Sequence, residues 1–221
     1  MVVSVADFNG DPNIGLYAKA NNELAITGVE APAKFVRKLE KTLNVDVVKT
    51  SIGGTSLVGV FTVFKGKQLI VSNIITSEEQ DFLKSVGVRF KVLNVGLTAI
   101  GNNLVLSKKA VIANPEFSLS EVRLINKTLE LPVRRYSIAG FKVPGSVVVV
   151  NNEKAGVTPL ATSHDYKLLK SILGVNAEEL TVNQGSGFVT SGLVFNEQGV
   201  LASNKCFGFE LARIEQVLLN S

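Results

Sequence analysis

The chain has 221 residues, 46% hydrophobic and 19% charged, with a formal charge of +4 and a pI near 9.1. This is ample for a well-buried core and excludes a disordered chain. No apolar run approaches the ~18 residues of a membrane-spanning helix, and one cysteine excludes an internal disulfide or a multi-cysteine zinc site.

The segment from Met1 to Asp7 lacks the basic and apolar regions of a signal peptide and reads as a first strand, which points to a cytoplasmic protein. Next comes a glycine inside an apolar run, Asn13-Ile14-Gly15-Leu16-Tyr17-Ala18. A polar turn at Asn21-Asn22 and a strand over 24–27 follow it. Phe35, Val36, Leu39 and Leu43 then share one face of a helix, and a strand begins at Val45.

The programme repeats. The second glycine run is Leu57-Val58-Gly59-Val60-Phe61, with a turn at Lys65-Gly66-Lys67 and a strand over 68–72. A helix with the capping box Ser77/Gln80 follows, with a C-cap at Gly87 and a strand from Val88. The third is Ala99-Ile100-Gly101-Asn102-Asn103, with a turn at Ser107-Lys108-Lys109, a strand over 110–113 and the capping box Ser118/Glu121. The fourth is Val143-Pro144-Gly145-Ser146, with a turn at 151–154, a strand over 156–159, a helix carrying Leu168, Leu169, Ile172 and Leu173, and Gly174 as its C-cap. The fifth is Thr190-Ser191-Gly192-Leu193, with a turn at 196–199, a strand over 200–203 and a helix carrying Leu211, Ile214, Val217 and Leu218.

The glycines at 15, 59, 101, 145 and 192 stand 44, 42, 44 and 47 residues apart, so five units account for the chain. One strand–strand–helix unit cannot bury its apolar face alone, and an open stack leaves exposed edges. The expectation is an α+β propeller: one domain over 1–221, with repeats near 1–44, 45–87, 88–131, 132–175 and 176–221. These close into a ring of pseudo-five-fold symmetry, with strands around the axis and helices on the rim.

Such a ring is the pentein fold. The stretches Asn13-Ile14-Gly15 with Ala18-Lys19, Ser51-Ile52-Gly53-Gly54, Ala99-Ile100-Gly101-Asn102 and Thr181-Val182-Asn183-Gln184-Gly185-Ser186, in this order, resemble the translation initiation factor 6 family, and archaeal members in length. The resemblance implies a monomeric, non-catalytic protein without a cofactor. Its partner would be the large ribosomal subunit, mainly a ribosomal protein beside the sarcin–ricin loop, with rRNA contacts from some basic side chains. Bound there, it would sterically prevent the small subunit from joining. It implies no membrane or DNA partner. Carried over by position, the ribosome-binding face holds Gly15, Val60, Asn102, Gly145, Ser146 and Gly192. Family members often carry a basic residue where this chain has Val60.

Two alternatives stand beside it. Related pentein enzymes modify guanidino groups with a cysteine and a histidine, which here would be Cys206 and His164 converging in a pocket with carboxylates. The plainer reading makes Cys206 a small residue beside the last helix and puts His164 on a surface first turn, where a helix N-terminus disfavours imidazolium. The other alternative is a general protein-binding scaffold. The glycine-rich stretches at 52–56 and 184–187 match no P-loop and read as loops. Lys19, Lys108, Lys109, Arg134 and Arg135 read mostly as a solvated surface.

Overall fold

The computed structural model describes residues 2–219. Strand β1 (Val2–Ala6) opens the chain. The first unit follows: a one-turn helix α1 (Ile14–Tyr17), β2 (Ala18–Ala20), β3 (Leu24–Gly28), helix α2 (Ala33–Leu43) and β4 (Asp46–Thr50). The second holds β5 (Thr62–Lys65), β6 (Gln68–Ser72), α3 (Ser77–Ser85) and β7 (Phe90–Leu93). The third holds α4 (Ile100–Asn103), β8 (Leu104–Leu106), β9 (Val111–Ala113), α5 (Leu119–Leu129) and β10 (Val133–Arg135). The fourth holds α6 (Pro144–Val147), β11 (Val148–Asn151), β12 (Lys154–Val157), α7 (Ser163–Leu173) and β13 (Asn176–Glu179). The fifth holds β14 (Leu193–Phe195), β15 (Gly199–Ser203) and α8 (Gly208–Leu218).

These strands form five three-stranded sheets. In each, the inner strand pairs antiparallel with the second through a tight hairpin. The third strand lies parallel to the second, so the chain must cross back between them, and the intervening helix is that crossover. The fifth sheet takes its third strand from the other end of the chain. Strand β1 pairs parallel with β15, from Val2 opposite Gly199 to Ala6 opposite Ser203, and closes the ring. The spatial unit therefore runs from a glycine turn to the strand after the helix, out of phase with a count that starts at residue 1.

The core is divided into five clusters, one per seam, each drawing on two adjacent units. At one seam Val194 and Leu201 of the fifth unit pack with Ala18, Phe35, Leu39 and Leu43 of the first. This is why the spacing of apolar residues is helical in the rim helices while the buried strands are nearly continuously apolar.

Two local expectations shift. The second capping box is Thr76/Glu79 and not Ser77/Gln80: Thr76 is the extended residue whose side chain accepts the Glu79 N–H, and Ser77 is already helical. The repeat glycines do not lie inside strands. Gly15, Gly101 and Gly145 are second residues of the one-turn helices that precede the inner strands. The Ser118/Glu121 box and the left-handed C-cap at Gly174 (φ 70°) form where expected.

Candidate functional site

The second strands all run toward one face of the ring, and the long helices all start there. Because the inner strands are antiparallel to the second strands, the glycine turns lie on that face too. At the axis these turns abut. The Gly15 N–H donates to Ser191 O at 2.7 Å, Gly59 N–H to Leu16 O at 2.9 Å and Gly101 N–H to Val60 O at 2.8 Å. No side chain fits at the four rosette glycines: a Cβ on Gly59 would sit 2.0 Å from Gly15 O, and one on Gly145 2.3 Å from Gly101 O. Close backbone approach of this kind is a structural reason for glycine.

The fifth rosette member is Thr190, not Gly192. Thr190 N–H donates to Ser146 O at 3.3 Å, and its hydroxyl donates to Gly145 O at 2.6 Å. A hydrogen bond there replaces the bare contact that glycine makes elsewhere. Gly192 lies two residues further on, packed against Val182.

Among the sequence-derived positions, Gly15, Gly145 and Gly192 are therefore buried, while Val60, Asn102 and Ser146 are half-buried on the rosette face. The residue after each rosette position gives the set Leu16, Val60, Asn102, Ser146 and Ser191, all half-buried around the axis. Leu16 and Ser191 were missed from sequence, and the five-fold register is the signal that finds them. Around this centre the face is apolar. Among the described residues it carries six of the ten exposed large hydrophobics: Val29, Leu119, Leu160, Phe188, Phe207 and Phe209. Phe209 is 68% exposed and stacks on Phe207 at 5.6 Å, and Phe188 meets Phe141 edge-on at 5.5 Å.

Tight turns with positive φ surround the rosette at Asn9-Gly10, Gly53-Gly54, Ala139-Gly140 and Asn183-Gln184-Gly185. The two glycine-rich stretches are among them, and they do not offer their amides to a phosphate. Glu79 accepts from Gly53 N–H at 2.7 Å, Gly54 N–H at 2.9 Å and Thr76 N–H at 2.9 Å. Glu210 serves Gln184, Gly185 and Phe207 in the same way. Burial pushes both carboxyls up, but their several hydrogen bonds outweigh it and hold both below the usual range. The third helix carboxylate in this role, Glu121, accepts from Gly96 N–H at 2.7 Å. The first unit has Phe35 at the matching helix position, and Asp7, just after β1, takes over, accepting from Gly10 N–H at 2.8 Å.

The opposite face holds the hairpins and is polar. Asn196 donates to Asn21 O and Leu43 O, Asn151 to Leu218 O, and Asn21 to Gly66 O, tying consecutive units together. A pit along the axis opens among these hairpins and ends at the rosette. Lys19 lies in its wall. It is half-buried there and not on the open outer surface, because ring closure turns this strand face inward.

Cys206 and His164 do not form a catalytic pair. Cys206 sits just before α8, half-buried, and its Sγ accepts the Asn183 N–H at 3.4 Å. Burial pushes its thiol up, so it is not a ready thiolate. His164 is an exposed second residue of α7, beside Tyr136 with ring centres 6.1 Å apart. Neither bonds the other, and no group of acidic, histidine or cysteine residues among the described residues could hold a metal ion.

A family model described as the eIF-6 family matches residues 3–217. A protein named Translation initiation factor 6 from Methanoculleus marisnigri is 34% identical over 211 residues, covering 96% of both chains. Those of Staphylothermus marinus and Archaeoglobus fulgidus are 33% and 34% identical, covering 95% of this chain and 94% and 97% of theirs. Among solved structures, the N-terminal domain of ArgZ, an arginine dihydrolase from cyanobacteria, superposes with a TM-score of 0.54 at 12% identity. That match covers 86% of this chain and 71% of the other. At that identity the likeness concerns the fold, which is the pentein ring.

Proposed function

The chain belongs to the eIF-6 family and is a translation factor; from that premise we propose that its rosette face binds the large ribosomal subunit and keeps the small subunit from joining. The observation that carries the reading is the contrast on that face. Its centre is closed by abutting backbone at the repeat glycines, and its surround exposes Leu160, Phe188, Phe207 and Phe209. A face with an apolar surround and a centre of closely packed backbone suits docking, and a preformed backbone loses little conformational entropy on docking.

The mechanism is steric. A single 221-residue domain has a diameter of about 45 Å, enough to occupy a subunit-joining surface without chemistry. Val60, Asn102 and Ser146, with Leu16 and Ser191, supply the central contacts, and Gly15, Gly145 and Gly192 act by shaping the backbone beneath them. The partner surface is a ribosomal protein beside the sarcin–ricin loop, with basic residues reaching adjacent rRNA. The protein acts as a monomer in the cytoplasm, without a cofactor. The guanidino-enzyme reading loses ground because Cys206 has no base within hydrogen-bonding reach and faces the Asn183 backbone.

Co-sedimentation with separated large and small archaeal subunits tests this, with both subunits also mixed under joining conditions. The expected result is migration with the large subunit alone and loss of the joined peak. A protein that stays at the top of every gradient would overturn the proposal, and equal binding to both subunits would favour a general scaffold.

A further inference from the structure

Across the five inner strands, the residue four beyond each rosette position is Lys19, Val63, Val105, Val149 or Val194. Strand pairing confirms the equivalence: they lie opposite Ile26, Ile70, Ile112, Gly156 and Leu201 in turn. The four valines are buried in the seam with the next unit. The first unit breaks the pattern with a lysine. A fold that accepts valine at four equivalent seams has no packing need for an ammonium at the fifth.

Lys19 lines the axial pit, whose volume is about 150 Å³. Ala20, Phe64, Leu106, Val150 and Phe195 ring the pit toward the hairpin face, and the rosette closes its other end. Among the described residues no other charged residue lines it. Among the described residues, Lys19 Nζ has neither a hydrogen-bond nor an ion-pair partner, and burial alone brings its pKa from 10.5 down to about 8. It is still largely protonated at neutral pH. Lys19 as a whole is half-buried, and a partly desolvated charge without a partner still carries a cost.

We propose that the axial pit is an anion-binding site, in which a small inorganic anion, chloride or phosphate, enters from the hairpin face and sits against the unpaired Lys19 ammonium. The pit has room for such an ion with part of its hydration, since a water occupies only ~30 Å³. Ala20, the smallest of the five ring residues, adjoins Lys19 and leaves the space. The mouth carries Lys67 and Lys108 together with Glu23 and Glu197, and no carboxylate reaches inside.

The test uses the intact protein with ¹³Cε-labelled lysine, in gluconate, chloride or phosphate at equal ionic strength. The Lys19 signal is identified by its absence in Lys19→Met. In gluconate, an anion too large for the pit, Lys19 should titrate near 8. In chloride or phosphate its midpoint should move up by about one unit or more and saturate with concentration, and the two salts together report which ion is preferred. The thermal midpoint at pH 7 should rise saturably with the same ion in the native protein but not in Lys19→Met. Lys19→Val, which restores the residue of the other four units, serves the same comparison if the methionine variant folds poorly. An identical Lys19 titration in all three salts would overturn the proposal and leave water as the occupant. An equal thermal gain in both variants would overturn it as well, marking a general salt effect.

Discussion

The two faces of the ring are made from the same five-fold repeat and solve different problems. On the rosette face, backbone meets backbone with no room for a methyl group, and the apolar side chains are pushed outward around the rim. On the hairpin face, the units are held by asparagine side chains reaching carbonyls of the next unit, and the axis stays open. Every connection between units passes through the rosette face, so that face carries the tight turns and helix starts. The contrast teaches that symmetry supplies the scaffold, while its breaks (Thr190, Lys19 and the Asp7 substitution for a helix carboxylate) mark where this chain is individual.

The largest effect should come from breaking the rosette. Gly59→Ala puts a methyl group 2.0 Å from Gly15 O and 3.0 Å from the carbonyl oxygens of Leu16 and Ala18, all of them backbone. A loss of about 3 kcal/mol or more is expected in denaturant unfolding. Gly208→Ala, whose Cβ meets nothing within 4 Å at the start of α8, should be neutral or slightly stabilising. Equal losses in both would mean the rosette contact is not limiting.

Next is Glu79→Ala, which leaves the half-buried Gly53 N–H and the more exposed N–H groups of Gly54 and Thr76 without their acceptor and should cost roughly 1–2 kcal/mol. The Glu79 carboxyl is held below its ordinary value of 4.5 in the folded state. Its contribution is thus fully present above that value and is lost as pH falls through the folded-state pKa. Stability measured from pH 6 down to pH 3 should fall less steeply in the variant than in the native protein.

On the hairpin side, Lys19→Val should stabilise the protein by about 1–2 kcal/mol at pH 7 in gluconate, by filling the seam as the other units do. The sign with pH follows from the lowered lysine pKa. Unfolded chains bind the proton more tightly between about 8 and 10.5, so native stability rises across that window. The rise should be smaller in Lys19→Val. Parallel pH profiles would show that Lys19 is not desolvated.

The smallest stability effects belong to accessible side chains of the rosette face, Asn102 near its centre and Phe209 in its surround. Asn102→Arg and Phe209→Ser should each change stability by no more than ~0.5 kcal/mol, yet weaken large-subunit binding by about tenfold or more. Lys108→Glu on the hairpin face should leave binding unchanged. The reverse pattern in sedimentation would assign docking to the hairpin face.

Much of this was legible in the chain. The glycine spacing marks five units, and the helix faces follow from Phe35, Leu39, Leu43 and their counterparts. Two errors have physical causes. Gly192 looked like the fifth rosette glycine because it is the nearest glycine in an apolar run, whereas Thr190 fills the place by donating its hydroxyl to Gly145 O. Lys19 looked like a surface lysine because Ala18-Lys19-Ala20 reads as an alternating strand with its polar side out. In a closed ring, that side faces a pit.

By itself, the sequence determined the number of units, the type and order of their elements and the positions where only glycine packs. Those depend on local periodicity, capping and spacing, which are properties of neighbours in the chain. Tertiary structure alone decided the rest. Ring closure by β1 on β15, the fifth rosette residue, the carboxylates that fill the tight turns and the inward course of Lys19 all join residues from different units. No local pattern encodes which side of a strand faces an axis that exists only once the ring has closed.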